Sequence, residues 1–320
     1  MNLTSTISGP EMRASNADCP SCGSQWTSIL GPIPSSIMFA GRLLDEPIIG
    51  GTLYRCNRCH FGFRFPRLGK QELDALYREG QDNTWSTNEP LSRNDWNIAR
   101  LWINQHLEFG RILDVGCFDG GFLTSLDQKY DKYGVEIHPE AAKHAVERGV
   151  NIIASDLTQL PKVDNAYDVV TSFDVIEHVG NPREFLYHLA SRTNDKGAII
   201  VSTGNLDSRA WRFMGSRYWY CTIPEHISFV SPRWFMMVAP ELNLRVINKI
   251  YYSHEKATSL VKFAQLIKNL SYRLSPSFAG WLRSHGMAGR LPVSTHPELK
   301  ETPPSWITAQ DHILVVLRKK

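Results

Sequence analysis

The stretch Ile112-Leu113-Asp114-Val115-Gly116-Cys117-Phe118-Asp119-Gly120-Gly121-Phe122-Leu123 constrains the chain more than any other. The apolar run Ile112 to Val115 reads as a buried parallel strand. It stops at a glycine-rich turn and restarts as the helical pattern Phe122, Leu123, Leu126. A strand that ends this way brings backbone and the free N–H groups of a helix end against a polar ligand. Such turns occur in many α/β proteins, so the rest of the chain must say what this one holds.

From residue 111 strands and helices alternate, which predicts a mainly parallel, doubly wound sheet. The spacing predicts strands at 111–116, 132–136, 151–154, 168–173, 198–202, 245–252 and 313–317. It predicts helices at 120–130, 139–148, 181–192 and 232–242, with Pro182 at a first helical position and Ser231 as a cap. Ligands of such sheets bind at the carboxyl ends of the strands, and acids recur there. Asp114 lies in the first strand, Glu136 ends the second, Asp156 follows the third and Asp174 follows the fourth. An acid ending the second strand can accept both hydroxyls of a ribose. An acid after the third can reach an adenine amino group.

Ahead of this region stand two C-x-x-C pairs, Cys19/Cys22 and Cys56/Cys59. Each turn converges two thiolates, and two turns complete a closed tetrahedral site, which suits a structural zinc ion. Leu53-Tyr54-Arg55 and Phe61 to Phe65 flank the second pair as hairpin strands, so a small zinc ribbon is expected. His60 is read as a bystander, and Cys221 as a small buried hydrophobe.

Together these residues resemble the class I S-adenosylmethionine-dependent methyltransferases over about residues 105–255 and the final strand. The resemblance rests on Leu113-Asp114-Val115-Gly116-Cys117, Gly134-Val135-Glu136, Ser155-Asp156-Leu157, and the run from Tyr167 through Val175-Ile176-Glu177-His178-Val179. That last run looks like the ubiquinone-biosynthesis branch. The ribbon and Pro224-Glu225-His226-Ile227-Ser228-Phe229 resemble the sugar C-methyltransferase branch. The implied fold is a Rossmann-like methyltransferase sheet behind a small N-terminal zinc ribbon. The implied S-adenosylmethionine site is Asp114, Gly116, Phe118, Gly120, Glu136, Ile137, Asp156, Leu157 and Phe173. Phe118 stands where the family usually has a glycine, and a positive φ there would strain it.

Methyl transfer from a sulfonium is an in-line displacement, helped by a base when the acceptor must lose a proton. His226, with Glu225 to orient its ring, and His178 are the candidate bases. Asp174, Glu177 and His178 form a D-x-x-E-H group, close to an E-x-x-E-H run that binds a divalent ion in some ubiquinone-type relatives. The expected acceptor is a small molecule, a sugar or glycan precursor of a surface-polysaccharide pathway, including an anionic sugar or sugar nucleotide. The alternatives are an RNA methyltransferase that grips its substrate through the ribbon, and a non-catalytic binding protein.

Charge bears on the partner. Residues 1–100 carry ten Lys/Arg and ten Asp/Glu, which argues against a nucleic-acid footprint at the ribbon. Residues 243–320 carry twelve and four. Within them Leu260, Phe263, Ala264, Ile267, Leu270 and Leu274 recur at helical spacing. The favoured reading of 254–310 is a lid whose apolar stripe packs on its own protein. The other reading is peripheral membrane contact through 258–274. The expected organisation is a disordered tail at 1–17, the ribbon at 18–66, a helical linker at 67–110, the catalytic domain at 111–253 and 311–320, and the insertion between. Trp85, in the polar stretch 80–92, is read as a plug against the main domain. The polar front and the lack of a 20-residue apolar run suggest a cytoplasmic protein.

Overall fold

The computed structural model describes residues 17–80, 93–160, 166–254, 257–285 and 302–320. The expected tail, all but its last residue, and Trp85 lie outside these residues. Strands β1 (Thr27–Pro32), β2 (Ser36–Phe39), β3 (Arg42–Ile48), β4 (Thr52–Cys56) and β5 (Gly62–Phe65) come first. Helices α1 (Lys70–Arg78) and α2 (Asn94–His106) follow. Then β6 (Gly110–Val115), α3 (Gly121–Thr124), β7 (Tyr130–Val135), α4 (Pro139–Glu147), β8 (Asn151–Ala154), β9 (Tyr167–Phe173), α5 (Pro182–Arg192) and β10 (Thr193–Gly204) alternate. The chain ends with α6 (Arg209–Met214), α7 (Trp219–Thr222), β11 (Ser228–Phe229), α8 (Pro232–Glu241), β12 (Leu244–Tyr252), α9 (Ser259–Leu274), α10 (Pro276–Ser284) and β13 (His312–Lys319).

The main sheet has seven strands in the order β12-β13-β10-β9-β6-β7-β8. Strands β8, β7, β6, β9 and β10 run parallel, and β13 inserts antiparallel between β10 and β12. The order reverses between β6 and β9, which opens the crevice where such sheets hold ligands. Ile112, Leu113, Val169, Val170, Ile199, Ile200 and Val315 are buried, as expected of central strands covered on both faces. Local chemistry starts the helices as read. The Ser231 hydroxyl accepts from the Trp234 N–H at 3.2 Å, and Asn181 caps α5 ahead of Pro182.

Two local expectations are revised. The helix expected at 120–130 is one turn, Gly121–Thr124. The Thr124 and Ser125 hydroxyls bond back to the carbonyls of Gly120 and Phe122, and Asp127 accepts from the Lys129 N–H, so a turn replaces the helix. Tyr130 must also enter the sheet opposite Gly110, which stops the helix early. The apolar stripe of α9 does not pack on its own protein. Leu260, Phe263, Ile267, Leu270 and Leu274 are all exposed.

The cysteine-bearing strands are joined to the main domain. β11 pairs antiparallel with β5, completing a four-stranded sheet in the order β1-β4-β5-β11. The Trp234 indole on α8 donates to Ser21, between the first two cysteines, at 2.8 Å. Arg64 of β5 is buried and donates to the carbonyls of Cys221 (2.9 Å) and Ile223 (3.0 Å). The ribbon thereby holds the loop that carries His226.

Candidate active site

A cleft of about 740 Å³ opens at the carboxyl ends of the parallel strands. It is lined by Asp114, Gly116, Phe118, Glu136, Ile137, Asp156, Leu157 and Phe173 on one side, and by His178 and His226 on the other. Gly120 stands behind the turn. Its φ is +75°, and a Cβ there would lie 2.8 Å from Val150 Cγ2. Gly116, at φ +76°, has equally little room, with Val175 Cγ2 2.4 Å from an added Cβ.

Phe118 adopts the positive φ, +48°, that its position demands. A left-handed conformation costs a side-chain-bearing residue about 1–2 kcal/mol. Its N–H donates to Glu136 Oε2 at 2.8 Å, which anchors the turn. Its ring lines the cleft, 6.4 Å from the His138 ring. Glu136 Oε1 accepts from the His138 N–H at 2.7 Å. Each carboxylate oxygen keeps a second lone pair, so the buried Glu136 fits a ribose diol as two acceptors. Burial pushes its carboxyl upward against these two donors.

Asp156 is more engaged than its expected adenine role requires. Oδ1 accepts from the Thr158 N–H and hydroxyl at 2.8 and 2.7 Å, and Oδ2 meets Lys70 Nζ at 2.7 Å. Burial alone would raise the Asp156 carboxyl, but Lys70 and Thr158 hold it below its ordinary value. Lys70 belongs to α1, and Leu68, Leu73, Asp74 and Tyr77 of the same segment line the cleft as well. The linker read as a simple amphipathic helix is therefore part of the cleft wall.

On the other side the two candidate bases stand together, ring centroids 4.9 Å apart. His226 Nδ1 lies 2.8 Å from the Tyr220 carbonyl oxygen. A carbonyl only accepts, so this bond places the proton on Nδ1 and leaves the lone pair on Nε2. Burial, with His178 adding to it, pushes His226 well below its ordinary pKa and keeps it neutral. His178 Nδ1 meets the Tyr77 hydroxyl at 2.6 Å and the Glu225 carbonyl at 3.1 Å. The Glu225 carboxylate does not orient His226, as the sequence suggested. It turns away to accept from the Ala40 N–H in the ribbon.

Buried acids and cations complete this wall. Glu177 accepts from the Tyr220 and Thr203 hydroxyls, and burial beside Asp174 pushes its carboxyl upward. Glu177, His178 and His226 lie close enough together to hold a cation, whereas Asp174 is taken by Arg93 at 2.6 Å. Arg93 also pairs with Asp95 at 2.6 Å. His312 is held by Asp311 at 2.9 Å, which, against burial, raises it to about 9. Sequence reasoning did not find Lys70, Tyr77, Arg93, His254 or His312 as cleft residues. His312 and Asp311 open a strand read only as apolar, and a polar pair there was the one signal available.

The four ribbon cysteines are the second constellation. Their Sγ atoms all lie within 4.8 Å of one another, with Cys19–Cys59 and Cys22–Cys56 at 3.6 Å. Zinc–thiolate bonds of about 2.3 Å in a tetrahedron require sulfurs about 3.8 Å apart, so the set fits. The Cys59 N–H points at Cys56 Sγ, 3.4 Å away. His60 takes a positive φ of +60°, as Gly23 does at +69° after the first pair, so it shapes the turn. Burial raises the Cys22 thiol to about 11, and the neighbouring Cys19 thiol, with burial, raises Cys59 as well.

Asp114 gives a pH test. Burial raises its carboxyl to about 7, against the Thr171 hydroxyl that donates to it at 2.7 Å. The folded state thus holds a proton that the unfolded chain releases near pH 4. The stability from this group is complete below pH 4 and is lost as pH rises through about 7. Between pH 6 and 8 the wild-type melting temperature is expected to fall more steeply than that of Asp114→Asn. Parallel slopes would refute the assignment.

A methyltransferase-domain family model matches residues 91–249. The cysteine pairs precede that span, and α9 and α10 follow it. The ubiquinone biosynthesis O-methyltransferase of Erwinia tasmaniensis is 31% identical over 199 residues, which is 55% of this chain and 79% of that protein. The ajmaline N-methyltransferase of Rauvolfia serpentina is 26% identical over 199 residues, 53% of this chain and 65% of that protein. A solved S-adenosylmethionine-dependent methyltransferase of Archaeoglobus fulgidus is 19% identical, spans 78% of this chain and all of its own, and superposes with a TM-score of 0.45.

Proposed function

Because this chain belongs to the class I S-adenosylmethionine-dependent methyltransferases and acts on a small molecule, we propose that its acceptor is a sugar or glycan precursor. The observation that carries this reading is the acceptor wall. Around His178 and His226 it presents Tyr77, Glu177, Tyr220, His254 and His312, with Trp219 and Ile223 as apolar elements. Such a wall matches a compact molecule with several hydroxyls better than a long apolar one. S-adenosylmethionine supplies an electrophilic methyl group when bound. Glu136 is the ribose acceptor, the 116–121 turn carries the backbone of that site, and Leu157 and Phe173 give it apolar walls. His226 acts as base through Nε2, because the Tyr220 carbonyl fixes its proton on Nδ1. The ribbon cysteines hold zinc in a structural role, since four thiolates leave no open position.

His226→Asn is expected to lower kcat by about 10²–10⁴-fold with cofactor affinity unchanged. Labelled-methyl assays on sugar nucleotides, glycan precursors, catechols and amines test the acceptor class. Turnover of a catechol or amine, with none on any sugar, would sink it.

A further inference from the structure

Helix α9 has its polarity reversed. Gln265, Asn269 and Tyr272 share one face at spacings of four and three. That mostly polar face is the one packed inward. Asn269 and Tyr272 are buried, and the Gln265 amide oxygen accepts from the Thr308 N–H at 3.2 Å and hydroxyl at 2.8 Å. Tyr272 joins the cluster of Trp211, Tyr218 and Tyr220. The outward face carries Leu260, Phe263, Ile267, Leu270 and Leu274, at spacings of three, four, three and four. They are 78%, 60%, 43%, 37% and 77% exposed. α10 adds Phe278 and Trp281, 51% and 47% exposed, with rings stacked at 5.9 Å. A surface helix normally buries such a stripe, and an apolar face of this extent marks an interaction site.

Charge selects the occupant. α9 and α10 contain Lys262, Lys268, Arg273 and Arg283 and no Asp or Glu. Lys262 and Lys268 are exposed. Two copies meeting through this face would set one acid-free basic rim against another, which is repulsive. An anionic surface meets both features, because it takes the basic side chains at its headgroups and the apolar stripe at the acyl boundary. No helix among the described residues is long and apolar enough to cross a membrane, so the contact is peripheral. We propose that the outward face of α9 and α10 docks the protein on an anionic lipid bilayer.

Flotation of the full chain with phosphatidylcholine vesicles, with and without about one third phosphatidylglycerol, tests this. The chain is expected to float with the anionic vesicles at low salt and to be released by high salt. Binding to pure phosphatidylcholine is expected to be at least about tenfold weaker. Lys262→Glu with Lys268→Glu is expected to weaken binding by more than about 25-fold, since loss of each basic residue alone is about fivefold and each reversal adds repulsion. Phe263→Glu with Ile267→Glu is expected to abolish flotation. Both double variants should bind S-adenosylmethionine as the wild type does, which shows that they fold. Wild-type protein that stays unbound at low salt overturns the proposal, as does flotation that neither variant weakens. A dimer in lipid-free solution that Phe263→Glu with Ile267→Glu dissociates also overturns it, and assigns the face to a second copy.

Discussion

Cys59→Ser is expected to abolish methyl transfer, although Cys59 lies outside the cleft. The four sulfurs converge on one tetrahedral site, and losing one ligand opens the set. Metal-ligand energy is folding energy in so small a sheet, about 10 kcal/mol or more in zinc-finger peptides. The loss does not stay local. β5 pairs with β11, and Arg64 on β5 holds the carbonyls of Cys221 and Ile223, just ahead of His226. A loosened ribbon therefore releases the loop that carries His226. The buried Arg64 guanidinium would also lose its carbonyl partners, an expensive state for a charge. Thiol titration and metal analysis should return one zinc per chain in the wild type and none in the variant. Chelation should reproduce the loss of activity. Full activity in metal-free protein would refute the structural role.

Glu136→Ala is expected to weaken S-adenosylmethionine binding by about 100-fold or more, read by calorimetry. Hydrogen bonds to a charged partner contribute about 1.5–3 kcal/mol each, and a ribose diol offers two. The carboxylate also holds the N–H groups of Phe118 and His138, so its loss frees a turn residue from a conformation it would not choose alone. Glu136→Gln separates these roles. One amide oxygen can still accept one N–H, so it should keep more stability than Glu136→Ala while still losing most of the affinity. Unchanged affinity in both variants would remove Glu136 from the site.

The sheet strands, the cofactor-side turn and the thiol set were legible in the residues themselves. Each strand, the turn and each C-x-x-C pair is carried by residues within a few positions of one another, although the two cysteine pairs meet across 40 and 34 positions. Continuous apolar runs such as Ile199–Val201 must be buried on both faces, Ser231 must cap, Pro182 must open its helix, and a C-x-x-C turn must converge its sulfurs. Strand-end acids follow from the same local pattern, because a parallel strand delivers its last residue to one edge of the sheet.

What those residues meet came from the way the chain folds. Tyr77 reaches His178 across 101 positions, Lys70 reaches Asp156 across 86, and Arg93 reaches Asp174 across 81. No periodicity encodes such pairs, since they depend on how α1 and α2 fold back over the sheet. Packing likewise turned Glu225 toward Ala40 and left His226 to the Tyr220 carbonyl. The amphipathic stripe of α9 was plain in the sequence, but spacing gives the stripe and not its direction. Gln265 bonds Thr308 and Tyr272 packs among Trp211, Tyr218 and Tyr220, so this side of α9 faces inward with Asn269 and the apolar face is left outward.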